Sequence, residues 1–189
     1  MYDCPLDVYS PSEDSYFLSE NVKIKKGAIV ADVGCGSGIQ SLNALSHGAL
    51  KVYAIDLNQS ALDCTVANCK TAGHSGKIIP VKSDLFAHFS EKVDCIIFNP
   101  PYVESSKLKY AELDGGKRGR EVLDRFLAQM PAHLKEGGVC FFLQTELNGH
   151  EKTQKILQKA GLEFRIVAKK RGFFEELAVY ECSLQKRGI

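Results

Sequence analysis

The sequence predicts an α/β fold: a seven-stranded, mostly parallel sheet with helices on both faces and one antiparallel strand. Three observations predict it. Short apolar runs such as Ala28-Ile29-Val30-Ala31-Asp32-Val33 and Cys95-Ile96-Ile97-Phe98 lack the alternation of a half-wet sheet, so they read as strands covered on both sides. Between such runs lie segments with helical apolar spacing, among them Leu62, Val66 and Cys69, and Val122, Leu123, Phe126, Leu127 and Met130. Lys169-Lys170-Arg171-Gly172 alone joins the last two apolar runs. That link is too short for a parallel crossover, so this pair is antiparallel.

Each element has its own signal along the chain. Ser12, after Pro11, caps a helix reaching Asn21 with Glu13 and Asp14 in its first turn. Residues 28–33 form the first strand, Gly34-Cys35-Gly36-Ser37-Gly38 a glycine loop, and the following helix runs to His47 with Gly48 as its stop. Val52 to Asp56 is the second strand, and Asn58 caps the next helix. Residues 77–82 form the third strand, which Pro80 and the flanking lysines mark as an edge. Val93 to Phe98 is the fourth. Residues 103–118 are polar, contain Gly115-Gly116 and read as a mobile loop. Gly137-Gly138 introduces a fifth strand over Val139–Leu143, a helix follows around 151–160, and 162–168 and 177–184 are the last strands.

The 189 residues, without low-complexity or linker segments, fit one domain. Net charge is +1, from 24 basic and 23 acidic residues, which gives no general pull toward nucleic acid or membranes, so direct DNA binding is not expected. The seven cysteines show no zinc-ligand spacing and read as buried, reduced thiols of a cytoplasmic or nuclear protein. The start of the chain lacks a leader pattern, and no apolar run approaches the roughly 18 residues of a membrane span. No metal is expected in this chain, because His47, His74, His88, His133 and His150 also lack ligand spacing.

The chemistry concentrates at strand ends. Asn99-Pro100-Pro101-Tyr102 closes the fourth strand. Two prolines have no N–H and fixed φ, so the carbonyls of Asn99 and Pro100 stay free as acceptors; Asn99 adds a side-chain oxygen and Tyr102 a flat ring. The set suits a planar group bearing an NH2, and by itself does not separate an adenine from a carboxamide. Asp32 and the glycines Gly34 and Gly36 stand between a strand and a helix N-terminus, which favours something anionic. The loop is not the G-x-G-x-x-G of dinucleotide folds, since Ile39 stands where the third glycine would be. Asp56 ends the second strand and can accept both hydroxyls of a ribose. Asp84, after the third strand, can accept an adenine amino group with Leu85 against the ring. Any one of these is a plausible turn residue; four successive strand ends are hard to ascribe to coincidence.

With these residues the chain resembles the class I S-adenosylmethionine-dependent methyltransferases over essentially its whole length. Asp32 to Gly38 looks like their first motif, Asp56 their second, Asp84-Leu85 their third, and Asn99-Pro100-Pro101-Tyr102 their amino-methylating signature. Val8-Tyr9-Ser10-Pro11-Ser12-Glu13-Asp14-Ser15 and Gly115 to Phe126 resemble the short HemK-like enzymes of eukaryotes and archaea. The resemblance implies a Rossmann-like single methyltransferase domain over 1–189, with 1–27 as N-terminal extension and helix and 28–189 as sheet core. It implies S-adenosylmethionine as methyl donor and S-adenosylhomocysteine as product, with cofactor contacts at Ser15, Asp32, Gly34, Gly36, Asp56, Asp84, Leu85 and Asn99. It places substrate contacts at Asn99, Pro100, Pro101, Tyr102 and Val103, with Asn99, Pro100 and Tyr102 at the reacting group. The implied acceptor is the glutamine of the Gly-Gly-Gln loop of a class I translation release factor. The implied partner is a small zinc-binding activator subunit, for which the edge strand 77–82 is the candidate dock. Adenine N6 or a protein lysine are the rival acceptors, and a non-catalytic subunit is the rival class.

Overall fold

The computed structural model describes residues 4–104, 114–116, 119–172 and 175–184. Lys117, Arg118 and most of the predicted loop 103–118 lie outside them. A seven-stranded sheet runs in the order β3-β2-β1-β4-β5-β7-β6. The strands are β1 (Ile29–Val33), β2 (Lys51–Asp56), β3 (Ile78–Lys82), β4 (Val93–Phe98), β5 (Leu134–Thr145), β6 (Leu162–Arg171) and β7 (Glu176–Leu184). All neighbours pair in parallel except β7, which runs antiparallel between β5 and β6. The predicted edge strand is an edge: among the described residues β3 pairs only with β2.

Helices α1 (Glu13–Asn21), α2 (Ile39–Ser46) and α3 (Gln59–Thr71) cover one face, and α4 (Glu121–Gln129) and α5 (His150–Lys159) the other. The Cys95–Phe98 part of β4 shows why that run is continuously apolar. Ile96 and Phe98 pack with Leu123, Phe126 and Leu157 on one side, while Cys95 and Ile97 pack with Leu18, Ala44 and Leu45 on the other. Period-two side chains between two helical layers leave no wet face for polar residues. The order reverses at β1 and β4, where β2 and β3 lie to one side and β5 to the other. Ligands of open α/β sheets bind outside the strand C-termini at such a reversal, and the glycine loop and the Asn99 turn both begin there, with Val33 beside Phe98.

Three local expectations are corrected. β5 begins at Leu134, so Gly137-Gly138 lies inside the strand; β5 has the extra residues between the Val93–Leu134 and Cys95–Val139 pairs and takes them up as a bulge, a usual place for glycine. Lys169, Lys170 and Arg171 belong to β6 and not to a turn. Lys169 reaches Glu176 at 2.6 Å and Lys170 reaches Glu13 at 2.8 Å, so their charges are matched at the sheet surface. Val66 is exposed on α3, and Thr65 faces inward instead, against the glycine loop.

Asp32, at the end of β1, is 1% exposed, and its Oδ2 accepts from the Ser41 hydroxyl at 2.6 Å. Burial pushes its pKa from the ordinary 3.8 up to about 7, only partly opposed by the bonds from Ser41. The folded chain therefore binds a proton there that the unfolded chain releases above about pH 4. This contribution to stability is complete below the unfolded value and is lost as pH rises through about 7. Asp32→Asn removes it. In urea unfolding at pH 5 and pH 8, the wild type should lose stability relative to the variant by a few kcal/mol, since each tenfold change in proton affinity on folding is worth about 1.4 kcal/mol. A difference that does not change with pH contradicts the assignment.

Candidate active site

The glycine loop is held from below and from outside. Gly34 and Cys35 donate their N–H groups to the Ile55 carbonyl at 2.8 and 3.1 Å, which ties the loop to the end of β2. Thr65 Oγ1 donates to the Gly36 carbonyl at 3.0 Å, and Asn68 Nδ2 donates to the Ser37 carbonyl at 2.9 Å, so α3 braces the loop. Gly38 has φ +83°, and a Cβ there would stand 3.0 Å from Thr65, so glycine is needed both for conformation and for this approach. Asp32 sits beneath the loop as a buried support against α2.

Asp56 ends β2 with one oxygen on each side. Oδ1 accepts from the Asn58 N–H at 2.9 Å and Oδ2 from the Gly36 N–H at 3.1 Å. Each oxygen keeps a lone-pair direction for a diol, and burial raises the pKa of the carboxyl above the ordinary value. Asp84 follows β3, and its Oδ2 pairs with Arg125 of α4 at 2.6 Å; both are about half-exposed. Leu85 next to it is the only non-glycine with positive φ among the described residues, at 50°, and is buried. A leucine in that region stores roughly 1–3 kcal/mol, which singles out 84–85 as a shaped feature at the sheet's ligand edge.

On the other side of the reversal, Asn99 and Tyr102 meet a residue of α1. Asn99 Nδ2 donates to Asp14 Oδ2 at 2.9 Å, and the Tyr102 hydroxyl donates to the same oxygen at 3.2 Å. Asn99 Oδ1 is left shielded from solvent and without a hydrogen-bond partner among the described residues. No backbone hydrogen bond among those residues uses the carbonyls of Asn99 or Pro100 either, as two consecutive prolines predict. The Tyr102 ring packs against the core cluster under α1 and α2, the core-facing role that competes with stacking on a ligand. Burial first, and the charge of Asp14 second, hold its phenol far above the usual range, so it remains a donor. Ser15 is buried beside Asp14, and its carbonyl accepts from Gln40 Nε2 at 2.8 Å, which joins α1 to the helix after the glycine loop.

The turn's backbone is fixed by a second, separate set of contacts. Asn148 Nδ2 donates to the carbonyls of Tyr102 at 3.2 Å and Gly119 at 2.9 Å. Buried Arg120 donates to the Asn148 and Gly149 carbonyls and to Asp124 Oδ1, the last at 2.8 Å. The Gly115 N–H donates to Val103 O at 2.8 Å, and a Cβ at Gly115 would stand 2.7 Å from the Pro101 carbonyl. Gly119, at φ +63°, lies so close that a Cβ would run into the Tyr102 carbonyl oxygen. Gly115 and Gly119 therefore serve close backbone approach to the turn.

The predicted residues thus gather around the strand ends in two groups. The glycine loop, Asp56 and 84–85 form one, and Asn99 to Val103 the other, with Ser15 at the join. Sequence reasoning missed Asp14, which reads there as an ordinary acid in a helix's first turn, and it missed Asn148. Asp14 lies within the family-like segment 8–15 but nothing in the sequence assigns it a role, and no pattern marks Asn148, since both act through contacts 29 to 88 residues away.

Comparison with known proteins agrees with this geometry. A family model described as "Methyltransferase small domain" matches residues 11–175. A protein of Methanocaldococcus jannaschii named as a protein N5-glutamine methyltransferase is 38% identical over 180 residues, covering 92% of this chain and 90% of its own. The human methyltransferase HEMK2 is 30% identical, covering 92% and 88%. Among solved structures, the E. cuniculi Mtq2–Trm112 complex, described as responsible for methylation of the eRF1 termination factor, superposes with a TM-score of 0.75. It is 28% identical, over 95% of this chain and 100% of its own. The chain belongs to the methyltransferase small-domain family and, within it, to the HemK-like glutamine-N5 methyltransferases, which use S-adenosylmethionine.

Proposed function

We propose that the chain transfers a methyl group from S-adenosylmethionine to the side-chain amide nitrogen of the glutamine in the Gly-Gly-Gln motif of a class I release factor. The observation that carries this reading is the Asn99 amide, whose nitrogen is consumed by Asp14 while its oxygen is buried and unpartnered. A buried acceptor without a donor costs about 1–3 kcal/mol, a cost that an NH2 group of a ligand removes and a carboxylate or ether does not. The names of the Methanocaldococcus and Schizosaccharomyces pombe relatives, glutamine methyltransferase and eRF1 methyltransferase catalytic subunit, support a protein amide over adenine. So does the net charge of +1, since a duplex substrate calls for a basic groove.

The donor set fits the cofactor: a glycine loop braced at its back, a carboxylate with two outward lone-pair directions at Asp56, and a carboxylate beside a buried leucine at 84–85. Bound there, S-adenosylmethionine supplies an electrophilic sulfonium methyl. The residues of the chain supply position. A carboxamide nitrogen is a poor nucleophile because its lone pair is delocalised. Asn99 Oδ1 and the Pro100 carbonyl each accept one of its N–H groups, hold the nitrogen in place, and stabilise the positive charge that develops on it. Well-aligned positioning of this kind supplies roughly 7–11 kcal/mol. Tyr102 and Val103 border the amide plane. As the nitrogen–methyl bond forms and the methyl–sulfur bond breaks, the nitrogen is left with one proton too many, which it releases along the hydrogen bond to its acceptor and on to solvent; no side chain need act as a strong base, and no covalent enzyme intermediate forms.

We also propose that a small zinc-binding activator subunit completes the β3 edge. Ile79 on that strand is exposed, β3 has no outer partner among the described residues, and the E. cuniculi relative is solved as a complex with Trm112. The zinc-binding nature of the subunit rests on the family resemblance.

Asn99→Ala should lower turnover on a release-factor fragment by about 100-fold or more while calorimetry shows cofactor affinity near that of the wild type; near-wild-type turnover contradicts the mechanism. Asp56→Ala should instead weaken cofactor binding by about tenfold, near 1.4 kcal/mol, and unchanged affinity removes it from the ribose role. Gly119→Ala pushes a Cβ against the Tyr102 carbonyl. Its expected signature is a fall in kcat with cofactor affinity retained, and an unaltered kcat shows that the turn tolerates displacement.

A further inference from the structure

Four side chains and one backbone N–H converge on a single carboxylate. Asp14 is 4% exposed. Its Oδ1 accepts from the Tyr9 hydroxyl at 3.0 Å, the Ser15 N–H at 2.7 Å and the Ser15 hydroxyl at 3.2 Å. Its Oδ2 accepts from Asn99 Nδ2 at 2.9 Å and the Tyr102 hydroxyl at 3.2 Å. The two oxygens face different halves of the site: Oδ1 serves the N-terminal lip with Ser15, and Oδ2 serves the acceptor turn.

We propose that Asp14 is a positioning residue that fixes the orientation of the Asn99 amide, so that Oδ1 and never Nδ2 is offered to the NH2 of the acceptor. The inference rests on the acceptor reading above and adds to it the residue that enforces it. An asparagine amide turned over about its last bond keeps its shape and exchanges a donor for an acceptor. Packing cannot tell the two orientations apart. A carboxylate can, because it has no hydrogen to give. In the flipped form Asn99 Oδ1 would face Asp14 Oδ2, two acceptors in a buried place, while Nδ2 would face the acceptor's N–H groups. The flip is opposed at both ends, and each opposition is strengthened by the low local dielectric.

The competing role for Asp14 is purely structural, a tie between α1 and the sheet. Asp14→Asn separates the two roles because it changes one atom. Oδ1 remains for Tyr9 and Ser15. The new Nδ2 stands where Oδ2 was, and the Tyr102 hydroxyl can rotate to accept from it. Asn99 Nδ2 cannot, so the Asn99 amide turns over and presents a donor to the acceptor. A structural tie would barely register this change.

Turnover of Asp14→Asn on a fragment containing Gly-Gly-Gln should fall by about 100-fold or more in kcat, with S-adenosylmethionine affinity within about threefold of wild type. Adding Asn99→Asp to Asp14→Asn restores the match, since the new amide donates to the new carboxylate, whose other oxygen is again an acceptor at the same place. The double variant should turn over at least about tenfold faster than either single one, a recovery of about 1.4 kcal/mol. Equal or lower turnover than the singles overturns the proposal. If Asp14→Asn does not fold, the double variant is compared with Asn99→Asp alone under the same criterion. The Asn99 side-chain amide protons report the clamp with neither cofactor nor acceptor present. Slow solvent exchange by NMR in the wild type and fast exchange in Asp14→Asn is the expected result, and equal exchange contradicts it. A wild type inert on the fragment overturns the acceptor reading alone, and the exchange rates then decide the clamp.

Discussion

Helices on both faces of the sheet leave its strand ends as the only sites where polar chemistry can be arranged on a rigid frame, and everything functional follows from that constraint. From Cys95 to Phe98 β4 is apolar on both sides, so the next polar group after Asp94 is Asn99, at the residue after Phe98. β1, β2 and β3 likewise deliver Asp32, Asp56 and Asp84 within two residues of their last positions. The order reversal between β1 and β4 then sets the glycine loop and the Asn99 turn next to each other.

The acidic groups divide their labour by environment. Asp32 is sealed beneath the glycine loop with one hydroxyl partner, and its raised pKa reports burial that is not offset by charge. Asp56 is anchored by two backbone N–H groups yet keeps lone pairs for a ligand. Asp84 shares a half-exposed ion pair with Arg125, worth little by itself in solvent. Asp14 receives five donors from three parts of the chain, and in the proposal above it orients rather than binds. A buried polar network of this kind specifies one arrangement when it is complete. Among the described residues the network leaves Asn99 Oδ1 buried and unsatisfied, the atom at which the proposed acceptor would complete it.

Much of this was legible in the residues. Apolar runs without alternation predict a parallel, doubly covered sheet, which holds, and two prolines predict free carbonyls, which no backbone hydrogen bond among the described residues takes up. The β3 edge follows from Pro80 and its flanking lysines. What could not be read depends on contacts distant in sequence. Asp14 is indistinguishable from a helix-dipole acid until α1 is docked 85 residues from Asn99. Asn148 and Arg120 look like loop and helix-end residues until the segment after the turn folds back onto Tyr102. Lys169 to Arg171 look like a turn because their partners, Glu176 and Glu13, sit on other elements. Gly137-Gly138 looks like a boundary because a bulge and a turn have the same composition.

The most direct test of the central claim is the bond that forms. S-adenosylmethionine with a 13C-labelled methyl is incubated with the chain, the proposed activator subunit and a release-factor fragment whose glutamines carry 15N in the side chain. A single new 13C–15N correlation is expected at the amide nitrogen of the Gly-Gly-Gln glutamine, present with wild-type chain and absent with Asn99→Ala. A label on lysine, on a nucleic-acid base, or on any other glutamine would contradict that outcome and the acceptor chemistry with it.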